Sequence, residues 1–206
     1  MNTEKMPRRE RERLRHRALI LDAAIELFSE KGYQNVSVQE IARRAEFSVG
    51  ALYSFFESKE RLYESLVLSV AEEHHARLLA ALRREGEASA VLRGYVAERG
   101  RLFTDNIKLV RLYFSETRAL GSPMQSAVCE KVHELYHELV LEAASVIERG
   151  VREGAFREGD PYHMAVALEG IINAFLFCWL QERERQPYEA NVPVILDIFL
   201  RGAAAR

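Results

Sequence analysis

The sequence predicts an all-α protein made of a small helical head and a larger helical body. Three observations predict it. Apolar residues recur at three- and four-residue spacing along most of the 206 residues, no alternating segment reads convincingly as a strand, and Gly, Pro, Asn and Ser breaks separate the periodic runs. An apolar content of 48% suffices for a sizeable core, and 29% charged residues set the chain apart from disordered compositions.

The first helix is expected from about Arg9 to Lys31, with Ile20, Ala24, Leu27 and Phe28 on one face and Gly32 supplying a left-handed exit. Ser37 opens a short second helix. Glu40, three residues on, completes a capping box, and Ile41 and Ala45 form the buried side. Ser48 is the N-cap of a third helix, Val49 to Phe55, and Ser58 that of a fourth with the stripe Leu62, Leu66, Val70, Leu78 and Leu82. Longer helices follow near 88–105, 107–119, 124–153, 161–183 and 189–203. They are separated at Gly86, near Asn106, at Gly121-Ser122-Pro123, at 154–161 and at Pro187.

A net charge of −2 excludes a protein that coats polyanions over its whole surface. The distribution says more. Residues 1–17 hold seven Lys/Arg (Lys5, Arg8, Arg9, Arg11, Arg13, Arg15, Arg17) against three Glu, net +4, and residues 1–61 are net +2, leaving −4 for the rest. A basic front and an acidic back suit a head that binds a polyanion on a body that avoids one. The basic arm leaves two readings open, insertion into a minor groove or a solubilising tail.

Two cysteines, Cys129 and Cys178, form no CxxC pair, and a charged N-terminus stands where a secretion signal needs an apolar run, so a reduced cytoplasmic setting is expected. The most apolar stretch, Met164 to Leu180, carries Glu169 and Asn173 and is shorter than a membrane span of about 20 residues. It reads as a buried or dimer-forming helix, with no membrane partner.

Three short helices, the last two joined by a tight turn, describe a helix-turn-helix. A recognition helix must be slim where it enters the major groove and must be held at a fixed angle by apolar packing. Gly50 and Ala51 supply the slimness; Val38, Ile41, Ala42, Ala45, Leu52 and Phe56 supply the packing. The run Val36 to Val67, VSVQEIARRAEFSVGALYSFFESKERLYESLV, resembles the DNA-binding domain of the TetR family of repressors. It matches at Ala45, Ser48, Gly50, Leu52, Tyr53, Phe56, Ser58, Lys59, Glu60 and Leu62, and EKGYQNVSV before it matches the family's first-helix exit. REGAFREGDP at 152–161 resembles the less specific C-terminal part.

The resemblance implies residues 1–58 as basic arm and DNA-binding domain, and 59–206 as a helical domain for effector binding and dimerisation. It implies double-stranded operator DNA, a second copy of the chain and a small-molecule effector as partners, with no cofactor and no catalysis. Phosphate contacts fall at Ser37, Tyr53 and Lys59. Each also has a plainer reading: a cap, a core-edge aromatic, a solvated charge. Glu46 and Phe47 stand where Gly-Val is commonest in the family, so the turn must be made without glycine. The third helix has no Arg, Lys, Asn or Gln to read bases bidentately, so Val49, Ala51 and Ser54 offer methyl contacts and single hydrogen bonds, with Ser48 and Gly50 also in the DNA-binding set. Arg43 or Arg44, the arm and DNA shape take a larger share.

In the body, the rows Val128, Val132, Leu135, Leu139 and Val146, and Ala165, Leu168, Ile172, Phe175 and Trp179, are expected to serve both the core and a four-helix dimer interface. Candidates for effector contact are Phe103, Tyr113, Phe114, His137, Asn173 and Phe177, suited to a small, mostly apolar molecule with one or two polar groups. His133-Glu134-Leu135-Tyr136-His137 is a literal HExxH. A hydrolytic zinc needs a third protein ligand, and none follows at a suitable spacing. Polar positions on a long helix are the expected role of this run, with a regulatory metal at His133/His137 or a zinc hydrolase as alternatives. The adjacent His74 and His75 are expected on the surface.

Overall fold

A computed structural model describes residues 7–117, 127–181 and 187–203. The regular structure among them is helical throughout: α1 (Arg8–Lys31), α2 (Val38–Arg44), α3 (Val49–Phe55), α4 (Lys59–Leu82), α5 (Ala88–Asp105), α6 (Ile107–Thr117), α7 (Ala127–Arg152), α8 (Pro161–Gln181), a 3-10 turn (Tyr188–Asn191) and α9 (Val192–Ala203). Two compact units emerge, Met1–Ser69 with Lys108–Val128, and Val70–Ile107 with Cys129–Arg206. The division falls within the unbroken α4, some turns beyond the 58/59 border drawn from the motif, because a continuous helix belongs to the packing of both ends.

The first unit is built on α1 to α3. Ile20, Ala24, Leu27 and Phe28 of α1 are buried with Ile41 and Ala42 of α2 and Leu52 of α3. Apolar burial at about 25 cal/mol per Å² fixes the angle of the short helices, which could not persist alone at seven residues each. Phe28, Tyr33 and Tyr63 interlock as tilted and edge-on rings with centroids 5.1–6.0 Å apart, tying the start of α4 to α1. The basic segment is helical from Arg8 onward, and Arg8 to Leu19 are exposed but for the half-buried Arg17, whose guanidinium lies 5.2 Å from the Phe56 ring centroid. Most of the basic residues expected in an arm therefore belong to α1, and Lys5 lies outside the described residues.

In the second unit α5 packs against the 3-10 turn and α9, and α8 against α9. Gly150 lets Phe156 fold back under α7: a Cβ there would fall on the Phe156 ring and 2.9 Å from the Ala88 methyl. The rows expected to serve the dimer face the chain's own core: Leu139, Val146, Ala165, Leu168 and Ile172 are buried, with Val132, Leu135, Phe175 and Trp179 half-buried. A different stripe of α8, Tyr162, Val166, Gly170, Ala174 and Cys178, is exposed at four-residue spacing. By length and composition α8 could cross a membrane, yet Glu169 in its middle is fully buried and paired with Arg99 of α5.

His74 and His75 are not surface residues. His75 Nε2 sits 3.0 Å from Glu138 Oε2, and His74 is held down at about 4 by burial and by the charges of Arg99 and Arg77. Two consecutive positions are both sheltered because α4 has a neighbour on each side: α7 beside His75, where Arg83 also pairs with Glu142 at 3.0 Å, and α5 on the side of His74, where Arg77 pairs with Glu98 at 2.7 Å.

Candidate nucleic-acid interface and effector site

The helix-turn-helix is built up from the caps of α2 and α3. Ser37 Oγ accepts the Glu40 N–H, and Glu40 in turn accepts the Ser37 N–H and O–H, closing the capping box. Lys31, 2.7 Å away, and the Ser37 backbone and hydroxyl hold the Glu40 carboxyl down at about 2. Ser48 Oγ accepts the Ala51 N–H at 3.1 Å. Both caps lie on exposed residues, so the open N–H groups of α2 and α3 face solvent.

The turn between them is made without glycine, as expected, at a conformational cost. The Phe47 N–H donates to Ala42 O at 2.8 Å and the Glu46 N–H to Arg43 O at 3.2 Å, the Schellman pair, with Glu46 left-handed at φ 62°. The same motif ends α7 with Gly154, at φ 74°, in that place. A side chain in this region costs roughly 1–2 kcal/mol. Glu46→Gly should therefore raise stability by about 1 kcal/mol, part being offset by the freedom glycine gains when unfolded. The urea midpoint should rise with an unchanged slope; an unchanged or lower midpoint would refute strain at Glu46.

One contribution to the turn was hidden from sequence reasoning. Phe47 lies 5.2 Å from the His16 ring and 6.3 Å from Phe55, and His16 lies 6.4 Å from Phe55, centroid to centroid. This trio pins α3 to α1. A large ring at a turn position was the sole signal in the sequence.

The exposed surface of α2 and α3 carries the expected residues together. Arg43, Arg44, Ser48, Gly50, Tyr53 and Ser54 are exposed, and Val49 and Ala51 are half-buried. Arg44 is held by Glu26 at 2.5 Å, while Ser54 donates its hydroxyl to Ala51 O at 2.6 Å and so presents lone pairs outward. A Cβ at Gly50 would meet nothing within 4 Å. Lys59 is the residue whose surroundings differ most from expectation. Its Nζ donates to Tyr33 O and Val36 O, both at 3.0 Å, and lies 4.2 Å from the Tyr33 ring centroid. Two of three N–H bonds thus brace the α1 exit, leaving one for an external anion.

Residues 20–66 match the pattern described as bacterial regulatory proteins, tetR family. The HTH-type transcriptional repressor KstR of Mycolicibacterium smegmatis is 30% identical over 167 residues, covering 81% of this chain and 78% of that one. The chain belongs to the TetR family. It is accordingly a DNA-binding transcriptional regulator, and α2–α3 is the family's helix-turn-helix. Among solved structures, the TetR-family regulator PfmR of Thermus thermophilus superposes with a TM-score of 0.74 at 26% identity, over 91% of this chain and 99% of that one. FadR of Bacillus subtilis, solved in complex with stearoyl-CoA, has the same fold, with a TM-score of 0.76 at 21% identity over 90% and 98%.

In this TetR-family protein the second unit holds a buried polar cluster that periodicity could not reveal. Glu169 Oε2 lies 3.1 Å from Arg99 Nη2, the Tyr95 hydroxyl donates to Glu169 Oε1, and Arg99 Nη1 donates to the Tyr95 oxygen at 2.9 Å. Burial works against the Arg99 charge, but Glu169 and Tyr95 outweigh it and hold the guanidinium firmly protonated; burial pushes the Tyr95 phenol well up. The Phe103 ring lies 5.5 Å from the guanidinium and edge-on to Tyr188 at 5.2 Å, and Tyr188 meets Trp179 at 5.6 Å.

Of the six effector candidates, Phe103 is buried in this cluster, and Asn173 joins it through Tyr136, whose phenol is pushed up by burial and by Glu169. Phe177 is half-buried. His137 is exposed with its ring 6.4 Å from Tyr162, on the outside of α7. The side chains of Tyr113 and Phe114 lie outside the described residues. His133 is exposed as well, and no group of three or more His, Cys, Asp or Glu able to hold a metal is gathered among the described residues, so the HExxH spacing has no third ligand there.

Proposed function

We propose that this regulator is a cytoplasmic repressor that holds operator DNA as a homodimer and releases it when a small, mostly apolar molecule binds the helical body. The observation that carries the DNA reading is the start of α3. A capped N-terminus, a glycine with open space around it and an exposed Tyr53 (48%) lie on one surface, beside Arg43 and Arg44 of α2. Residues 1–58 are the head in this reading and 59–206 the body, with no catalytic role for either. Ser37, Tyr53 and the remaining N–H of Lys59 hold phosphates; Ser48, Val49, Ala51 and Ser54 meet base edges. Tyr53→Phe should weaken binding equally across sequences, and Lys59→Ala should also lower the salt slope by roughly one per head. A changed sequence preference at constant salt slope would refute the assignment. Lys59→Ala will in addition lower the melting temperature, since Tyr33 O and Val36 O lose their donor, whereas Tyr53→Phe will not.

Dimerisation is supported by the exposed stripe of α8, whose small residues Gly170 and Ala174 permit a close helix approach. Light scattering at micromolar concentration should give twice 23.6 kDa, and a folded monomer at that concentration would remove the basis of the allosteric reading. The effector reading is supported by the aromatic and polar residues inside the second unit, and by FadR having been solved with a long-chain acyl ligand, stearoyl-CoA. An effector favouring a head separation unsuited to two half-sites lowers operator affinity by its differential affinity for the two forms.

A further inference from the structure

We propose that the Arg99–Glu169 pair, together with His74, is the seat for the polar end of the effector, and that this end is an uncharged carbonyl group such as an ester, thioester, ketone or amide. The inference rests on the effector reading and narrows it to a chemical class. Folded proteins pair almost all of their buried polar atoms. Among the described residues six such side-chain atoms lack a hydrogen-bond partner, all in the second unit; His75 and Arg149 keep ion-pair contacts to Glu138 and Glu153, and the other three, on three helices, belong to Arg99, Glu169 and His74. The Arg99 Nε–H has no acceptor among the described residues, although Arg99 is only 8% exposed. Glu169 is fully buried, and its Oε2 accepts no aligned hydrogen bond, the 3.1 Å approach of Arg99 Nη2 being an ion-pair contact only. His74 Nε2 is buried without a hydrogen-bond partner among the described residues, and burial with the charge of Arg99 depresses its basicity. As mere glue the pair would be a poor choice, because apolar residues of the same volume commonly do as well.

Charge decides the ligand class. Arg99 and Glu169 balance, His74 is neutral near pH 7, and the nearby Arg77 is taken by Glu98 at 2.7 Å. Asp105 is exposed. A carboxylate would add an uncompensated buried charge, and an ammonium would face Arg99. A carbonyl oxygen accepts from Arg99 Nε–H or His74 without changing the balance, and Glu169 Oε2 keeps its ion contact with Arg99 Nη2, while Phe103 beneath the guanidinium, with Tyr188 and Trp179, offers apolar surface to the remainder.

Trp179 is the single tryptophan and reports on this region by fluorescence. The full-length protein would be titrated at neutral pH with methyl laurate, laurate and dodecane, which share a chain and differ in the end group. The ester should bind roughly tenfold tighter than either of the others. In Arg99→Met/Glu169→Leu, which removes both charges at once, ester and hydrocarbon should bind alike; circular dichroism checks its folding, and His74→Leu, expected to reduce the same preference, serves if it does not fold. Equal binding of ester and hydrocarbon to the native protein, tighter laurate, no binding of any probe, or a preference that survives these substitutions overturns the seat. Operator release is followed in parallel on a DNA fragment selected for binding. Ester binding without release leaves the seat standing and overturns the effector-release reading instead.

Discussion

Arg99→Ala will destabilise the helical body by about 3–5 kcal/mol, a large part of the roughly 5–15 kcal/mol that holds a domain folded. The cause is the partner left behind. Glu169 is fully buried on α8, and without the guanidinium its carboxylate keeps only the Tyr95 hydroxyl. Tyr95 itself then loses the donor that satisfies its oxygen at 2.9 Å. Removing both charges should cost far less, so Arg99→Met/Glu169→Leu is expected within about 1–2 kcal/mol of the native protein. Chemical denaturation of the three proteins measures this directly. If the single and double variants were equally unstable, the ion pair would not be what Arg99 contributes.

Substitution of Gly50 will separate stability from DNA binding. Nothing within 4 Å would meet a Cβ there, and the residue sits in the first turn of α3, where alanine is up to about 1 kcal/mol more favourable than glycine. Gly50→Ala should thus leave the melting temperature unchanged or raise it slightly. If DNA meets the start of α3 as proposed, a large side chain at Gly50 would stand between the helix and the DNA. Gly50→Leu should then lower operator affinity about a hundredfold, near 3 kcal/mol, while the fold and the oligomeric state stay as in the native protein. Native affinity in Gly50→Leu would place the recognition surface elsewhere.

Most helices and their limits were legible in the sequence because their causes are local, though the helix expected over 189–203 begins only at Val192, after a 3-10 turn. Ser37 and Glu40 sit one turn apart and can close a capping box without any distant residue, and α3 runs from Val49 to Phe55 as its cap at Ser48 implies. The exposure of Ser48, Gly50, Tyr53 and Ser54 together was legible for a related reason, since they belong to one short helix and its cap. The buried polar cluster of the second unit was not. Phe103 could be found as an aromatic at helical spacing, but spacing cannot tell that an arginine will lie over its ring. His137 shows the converse, being exposed on α7.

What the sequence by itself determined, then, is the succession of helices, their caps and the slim exposed start of α3, all set by hydrogen bonds and apolar spacing within a turn or two. Tertiary structure alone decided the pairing of Arg99 with Glu169, the use of Lys59 as a brace for Tyr33 and Val36, the His16–Phe47–Phe55 trio, and which stripe of α8 stays outside. Each joins residues far apart in the chain. A charged residue in an apolar helix carries no mark of its partner, because the free energy that makes its burial tolerable comes from whichever opposite charge the packing of other helices brings beside it.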